Sequence, residues 1–179
     1  MSLRRVSSVS DLAQVARDAV PAVLREFLGL AATEAAGADA ATARSSDVEL
    51  CATVPLAGPE ASGHVCLRLA RGFALLALRQ LHGGSPSGSF EEHEVRDFAG
   101  ELCNLLAGRV AAELARVGEV CKLGVPEVVI GADTLVAGRP AGGTTPSDPS
   151  PASALRSCTI WSCAGHRLTL DLRQYRRLT

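Results

Sequence analysis

The sequence predicts an α+β fold, an antiparallel β-sheet of about five or six strands packed with helices that include one long central helix. Three observations carry that expectation. Apolar residues alternate with period two over 48–54, 65–69, 156–163 and 166–173. They return at helical spacing over 11–28 and 90–117. Glycine and proline fall mainly between these segments, where turns belong. At 179 residues and 18.5 kDa the chain suits one domain spanning 1–179.

Each element has its own local reason. In the first helix Leu12, Val15, Ala16, Ala19, Val23, Leu24 and Phe27 make the apolar stripe. Pro21 should kink or restart that helix, and Gly29 should end it. Residues 31–46 are Ala, Thr, Ser and Gly in weak pattern and read as a loop. Val48, Leu50, Ala52 and Val54 then face one way along a strand, and Val65, Leu67 and Leu69 repeat the arrangement. Residues 55–63 form a hairpin connection between them. A short helix follows over about 72–82, closed by Gly83-Gly84. His64 reads as a strand-face residue and His82 as a helix-end residue.

Ser89 and Glu92 make a capping box for the long helix, 90 to about 117, with Gly118 as its stop. Its buried stripe should hold Val95, Phe98, Leu102, Leu105, Leu106 and the stem of Arg109. A strand over 125–130 contains Pro126 near its start. Residues 138–154, rich in Gly, Pro, Ser and Thr, read as a flexible loop. Two last strands meet at a tight Ala164-Gly165 turn with Leu168, Leu170 and Leu172 inward, and the arginine-rich tail reads as a solvated end.

Composition narrows the chemistry by exclusion. Aromatic residues are only 3%, which argues against stacking platforms for bases and against aromatic sugar clefts. A net charge of −1 provides no bulk basic field for nucleic acid. No apolar run follows the arginines of the first ten residues, and no stretch reaches membrane-spanning length, so a cytoplasmic protein without signal peptide is expected. The six cysteines contain no CxxC and no closely spaced Cys/His set, so small buried thiols are expected and no metal site or cofactor of the protein's own.

The opposite face of the long helix is unusual. Asp97, Glu101, Asn104, Gly108, Ala111 and Ala115 project to one side, away from the apolar stripe. Glu101 and Asn104, three apart, are surface neighbours. Asn is a middling helix former and Gly costs about 1 kcal/mol relative to Ala, so their presence suggests that this face has a use.

The segment Asp97-Phe-Ala-Gly-Glu101-Leu-Cys-Asn104-Leu-Leu-Ala-Gly108 resembles the signature of the CheX/CheC/FliY chemotaxis phosphatases. In that family an Asp or Ser precedes a Glu by four positions, an Asn follows it by three, and a Pro comes about two dozen positions on. Here Pro126 lies 22 after Asn104. The order of elements from Asp11 to Arg173 is also similar. A single copy of the helix motif favours the CheX-like branch, although the 138–154 loop is longer than that branch needs. The resemblance implies a phosphatase acting on the phospho-aspartate of a CheY-like receiver domain, and a homodimer.

The residue types suit that reaction. Hydrolysis of an acyl phosphate needs a water held in line and little covalent help. The Asn104 carboxamide can accept from that water and donate to a phosphoryl oxygen. Glu101, an anion, would instead anchor a lysine beside the partner's phospho-aspartate. Mg²⁺ would belong to the receiver. Asp97, Gly108 and Ala111 are the expected partner contacts, with Asp97 the weakest member. Two other readings stay open: a receiver-binding or dimerisation module without catalysis, and a structural protein like those of the flagellar switch.

Overall fold

The computed structural model describes residues 9–35, 49–59, 61–83, 89–131 and 154–176. The loop expected at 138–154 lies outside them apart from Ala154, as do most of the 31–46 connection and the last residues of the tail. In chain order the elements are α1 (Val9–Leu28), β1 (Ala32–Glu34), β2 (Glu49–Ala57), β3 (Ala61–Ala70), α2 (Arg71–Leu81), α3 (Glu92–Arg116), β4 (Lys122–Leu123), β5 (Glu127–Ile130), β6 (Ala154–Cys163) and β7 (His166–Arg176).

Among the described residues seven strands form one antiparallel sheet in the order β1-β6-β7-β3-β2-β4, with β5 also paired to β2. Strands β4 and β5 therefore share one edge of β2: Leu56 pairs Leu123, while Thr53 pairs Glu127. Pro55 falls in the gap between them. Its carbonyl accepts from the Gly124 N–H at 2.8 Å, and its missing N–H faces the same gap, so the ladder loses nothing.

Alternation decides the faces. Leu50, Ala52, Val54, Val65, Leu67, Leu69, Leu168, Leu170 and Leu172 are buried against the helical layer. Helix α3 rests on β2, β3 and β5, and α1 packs on α3 and β6. On α3 the residues turned inward are Val95, Phe98, Leu102, Cys103, Leu106, Val110 and Leu114. The sheet's other face is polar, with His64 and Asp171 buried on it and Arg156 pairing Asp171 at 2.6 Å.

Several expectations need correction. The sheet holds β1 and β4 in addition to the anticipated strands; three and two residues long, they are too short to carry a period. Helix α1 runs through Pro21 as one element and does not restart there. The capping box is Glu91 with Glu94, two residues later than Ser89 with Glu92, and Glu94 Oε2 accepts from the Glu91 N–H at 2.8 Å. That register puts Phe90 and Val95 at the two positions of a hydrophobic staple, which a Ser89 cap would not. Leu105 and Arg109 are half-buried rather than core. Cys158 is exposed, and Cys121 is only partly covered.

Other expectations match. Gly118, at φ +89°, ends α3 with the Glu119 N–H bonded to the Leu114 carbonyl and its own N–H to Ala115. The β6–β7 turn has positive φ at both Ala164 and Gly165, as a type I′ hairpin requires.

Candidate functional site

The site is built on the outward face of α3. Twenty-five residues give α3 about seven turns, so positions separated by three or four stack along one stripe. Asp97 and Glu101 are exposed, Asn104 and Gly108 are half-buried, and Ala111 is half-buried further along. Among the described residues neither Glu101 nor Asn104 is held by a hydrogen bond or an ion pair. Both functional groups are therefore available to a partner.

The stripe stands where it does because α3 is fixed from three directions. Beneath it, Cys103, the residue before Asn104, donates its thiol to the Ala52 carbonyl of β2 at 3.3 Å. On one flank, Arg96 reaches the Val128 carbonyl of β5 at 3.1 Å. The same flank brings Pro126 to Gly100, where a Cβ would lie 3.7 Å from the Pro126 Cβ. The structure thus unites Pro126 with the helix motif, though it lies 22 residues past Asn104 in sequence. On the other flank α1 packs along α3.

Between α1, α3 and β4 lies an open groove of about 610 Å³. Asn104, Leu105, Gly108 and Ala112 of α3 line it, with Val23 and Phe27 of α1 and Leu123 of β4 among the walls. Glu26 and Arg109 add one charge of each sign. The groove is therefore mostly apolar with a carboxamide at one end. Beside it, Val120, Leu123 and Val125 are exposed to 65%, 41% and 81%, an unusual run of uncovered apolar side chains.

Of the expected site residues, the structure gathers Asn104 and Gly108 in the groove and leaves Asp97 and Glu101 on the solvent side of the same stripe. Ala111 is beside the groove and Ala112 lines it. Sequence reasoning puts Val23 and Phe27 in the apolar stripe of the first helix, not at the site, and does not identify Leu123. They come from segments far apart in the chain, and only the packing of α1 and β4 around α3 unites them. The one available signal was Leu123 and Val125, two apolar residues in a short segment with no period to bury them.

No cluster of three or more His, Cys, Asp or Glu positioned to hold a metal occurs among the described residues. No described helix is long and apolar enough to cross a membrane.

Comparison with known proteins agrees with the fold. Residues 50–143 match the family model described as Chemotaxis phosphatase CheX, a span that includes all of α3 and Pro126. No curated protein matches the sequence. Among solved structures, chemotaxis protein CheX from Vibrio vulnificus is similar at 17% identity and a TM-score of 0.67, covering 94% of this chain and 99% of that one. CheX in a CheX–CheY–BeF3–Mg²⁺ complex from Borrelia burgdorferi is similar at 16% identity and a TM-score of 0.55, covering 96% and 100%. The FliM middle domain from Vibrio alginolyticus is similar at 10% identity and a TM-score of 0.53, covering 93% and 92%. These likenesses show a shared fold. With more than half of the sequence inside the family match, the chain belongs to the chemotaxis phosphatase CheX family.

Proposed function

We propose that this protein hydrolyses the aspartyl phosphate of a CheY-like receiver domain, with Asn104 orienting the attacking water and Glu101 anchoring a lysine of the receiver. The observation that supports this most directly is the pair itself. Glu101 and Asn104 are one helical turn apart on the outward face of α3, inside the family match, with neither side chain held by another of the described residues.

The division of labour follows from charge. An acyl phosphate is already anionic, so the group nearest its phosphorus should be neutral. The Asn104 carboxamide accepts one hydrogen bond from water through its oxygen and donates one to a phosphoryl oxygen through its nitrogen. Positioning of this kind converts an encounter with bulk water into a reaction of a placed one. Glu101 carries full charge and is exposed, so it belongs at the rim, where an ammonium group can approach. A divalent cation, Mg²⁺, would be held by the receiver and would supply charge neutralisation at the phosphoryl oxygens there.

The groove supplies a place for the partner's surface. Gly108 and Ala112 keep its floor low, and Phe27, Leu105 and Leu123 offer apolar contact. Uncovered Val120 and Val125 extend that contact beside β4. A CheX of the same fold has been solved together with CheY and Mg²⁺, which is consistent with a receiver as partner. The homodimer that the resemblance implies is tested by light scattering on the intact chain.

A second reading has its own support, because the FliM middle domain shares the fold. It takes the chain to be a binding component without turnover. The two part company in one experiment: phosphorylated receivers are incubated with the protein, and both phosphate loss and binding are followed. Faster phosphate loss supports the phosphatase; tight binding with no change in phosphate lifetime supports the structural reading.

A further inference from the structure

We propose that Cys51 and Cys66 are a dithiol that small hydroperoxides oxidise to a reversible disulfide, on the sheet face opposite the helices. The two sulfur atoms are 3.3 Å apart across the β2–β3 hairpin, and both thiols are free. They are diagonal neighbours, since Cys51 pairs with Arg68 and Cys66 with Thr53. Nothing in the phosphatase reading uses them.

The pair is chemically unequal. The hydrogen-bond contact with Cys66 and the positive charge of Arg68 hold the Cys51 thiol below its ordinary value, against the effect of burial. Cys66 is raised, first by its bond with Cys51 and then by burial. Arg68 lies directly across the β2–β3 pair from Cys51, so its charge favours the Cys51 thiolate as the nucleophile, with Cys66 the thiol that resolves it. At 1% and 3% exposure they admit only a small oxidant such as hydrogen peroxide. Exposed Cys158, by contrast, is raised by desolvation and by Asp171, so it holds less thiolate at neutral pH.

The steps balance. Cys51 thiolate attacks one peroxide oxygen and the O–O bond breaks; the released oxide takes the Cys51 proton and leaves as water, or as an alcohol from an organic hydroperoxide. Cys66 sulfur then attacks the sulfenic sulfur of Cys51. The S–O bond breaks, and hydroxide leaves with the Cys66 proton as water. Two thiols lose two electrons, and one hydroperoxide accepts them.

Closure has a structural consequence. A disulfide bond is about 2.0 Å long, so the sulfurs must approach by about 1.3 Å from their 3.3 Å separation. The pair lies on the strands beneath α3, whose Cys103 thiol donates to Ala52 O at 3.3 Å and approaches Val65 O at 3.7 Å. Ala52 and Val65 are the chain neighbours of Cys51 and Cys66. A diagonal cross-strand bond is also strained, and strained disulfides are the readily reduced ones.

The test exposes the reduced full-length chain to graded hydrogen peroxide, quenches with an alkylating agent under denaturing conditions, and maps the peptides by mass. The expected product is a Cys51–Cys66 link, formed at a roughly tenfold lower peroxide dose than any Cys158 adduct and removed by dithiothreitol. Cys51→Ser should abolish the link and leave Cys66 alkylatable. Should Cys158 oxidise first, or Cys51 and Cys66 remain fully alkylated at doses that modify Cys158, the proposal is overturned. Wild-type mapping decides the matter even if the serine variant folds poorly, and no step depends on phosphatase activity.

Discussion

Gly100 of α3 meets Pro126 and Val128 so closely that a Cβ there would lie 3.7 Å from the Pro126 Cβ and 3.4 Å from Val128 Cγ2. That contact seats the helix on the segment leading into β5, one turn before Asn104. A single methyl fits at ordinary van der Waals distance, whereas a branched side chain must displace the strand. Gly100→Ala should therefore be tolerated. Gly100→Leu should cost about 1–3 kcal/mol of stability through overpacking, measured by urea unfolding. Equal stability of the two variants would show that the helix does not depend on this approach.

Gly108 differs in that its nearest obstacle is Leu123 Cδ1 at 4.0 Å, across the groove floor. Removing a mid-helix glycine gains about 0.5–1 kcal/mol. Gly108→Ala is thus expected to raise the thermal midpoint while lowering receiver turnover, because the new methyl group intrudes where the partner should lie. A more stable protein with undiminished turnover would remove Gly108 from the partner surface.

Glu101 is exposed, and alanine is the better helix former, so Glu101→Ala should leave folding intact. Loss of one charge-assisted hydrogen bond, about 1.5–3 kcal/mol, should weaken receiver binding by roughly 10- to 100-fold. Titration of the phosphorylated receiver measures it. Unchanged affinity would rule out the lysine anchor.

His64 adds a pH dependence to stability that is independent of the site. Burial first, then Arg173 with a smaller part from Arg156, lowers its pKa from the ordinary 6.5, and Asp171 opposes this only in part. The unfolded chain therefore binds the proton more readily, so stability is held above about pH 6.5 and falls as the pH drops from there toward the folded-state value. His64→Gln should flatten that part of the curve. Thermal melts of both proteins between pH 7.5 and pH 5, at about half-unit steps, make the comparison. Parallel curves would mean that His64 titrates alike in both states.

Legibility in the sequence followed the length and regularity of each element. Helices α1 and α3 and strands β2, β3, β6 and β7 each bury one face over many residues, so their periods are written plainly. Strands β1 and β4 have too few residues for a period and exist because β6 and β2 offer them a free edge. The capping box slipped by two residues because Ser89-x-x-Glu92 and Glu91-x-x-Glu94 overlap, and the choice between them belongs to Phe90 and Val95. At the site, Asn104 and Gly108 are legible as costly residues on an outward stripe, and Glu101 as the surface neighbour of Asn104. Phe27 and Leu123 are not, because their role arises only when α1 and β4 flank α3. The Cys51–Cys66 contact was hidden for the same reason: two thiols 15 residues apart meet only in this hairpin register.

Asn104 carries the proposed chemistry, and the most direct measurement of its role is the dephosphorylation rate of a phosphorylated CheY-like receiver with wild-type protein and with Asn104→Ala. Wild type should shorten the phosphate lifetime, and the variant should lose about 100-fold or more of that turnover while still binding the receiver. If the variant retained wild-type turnover, or if wild type bound receivers without shortening the lifetime of any, Asn104 would not be positioning a catalytic water.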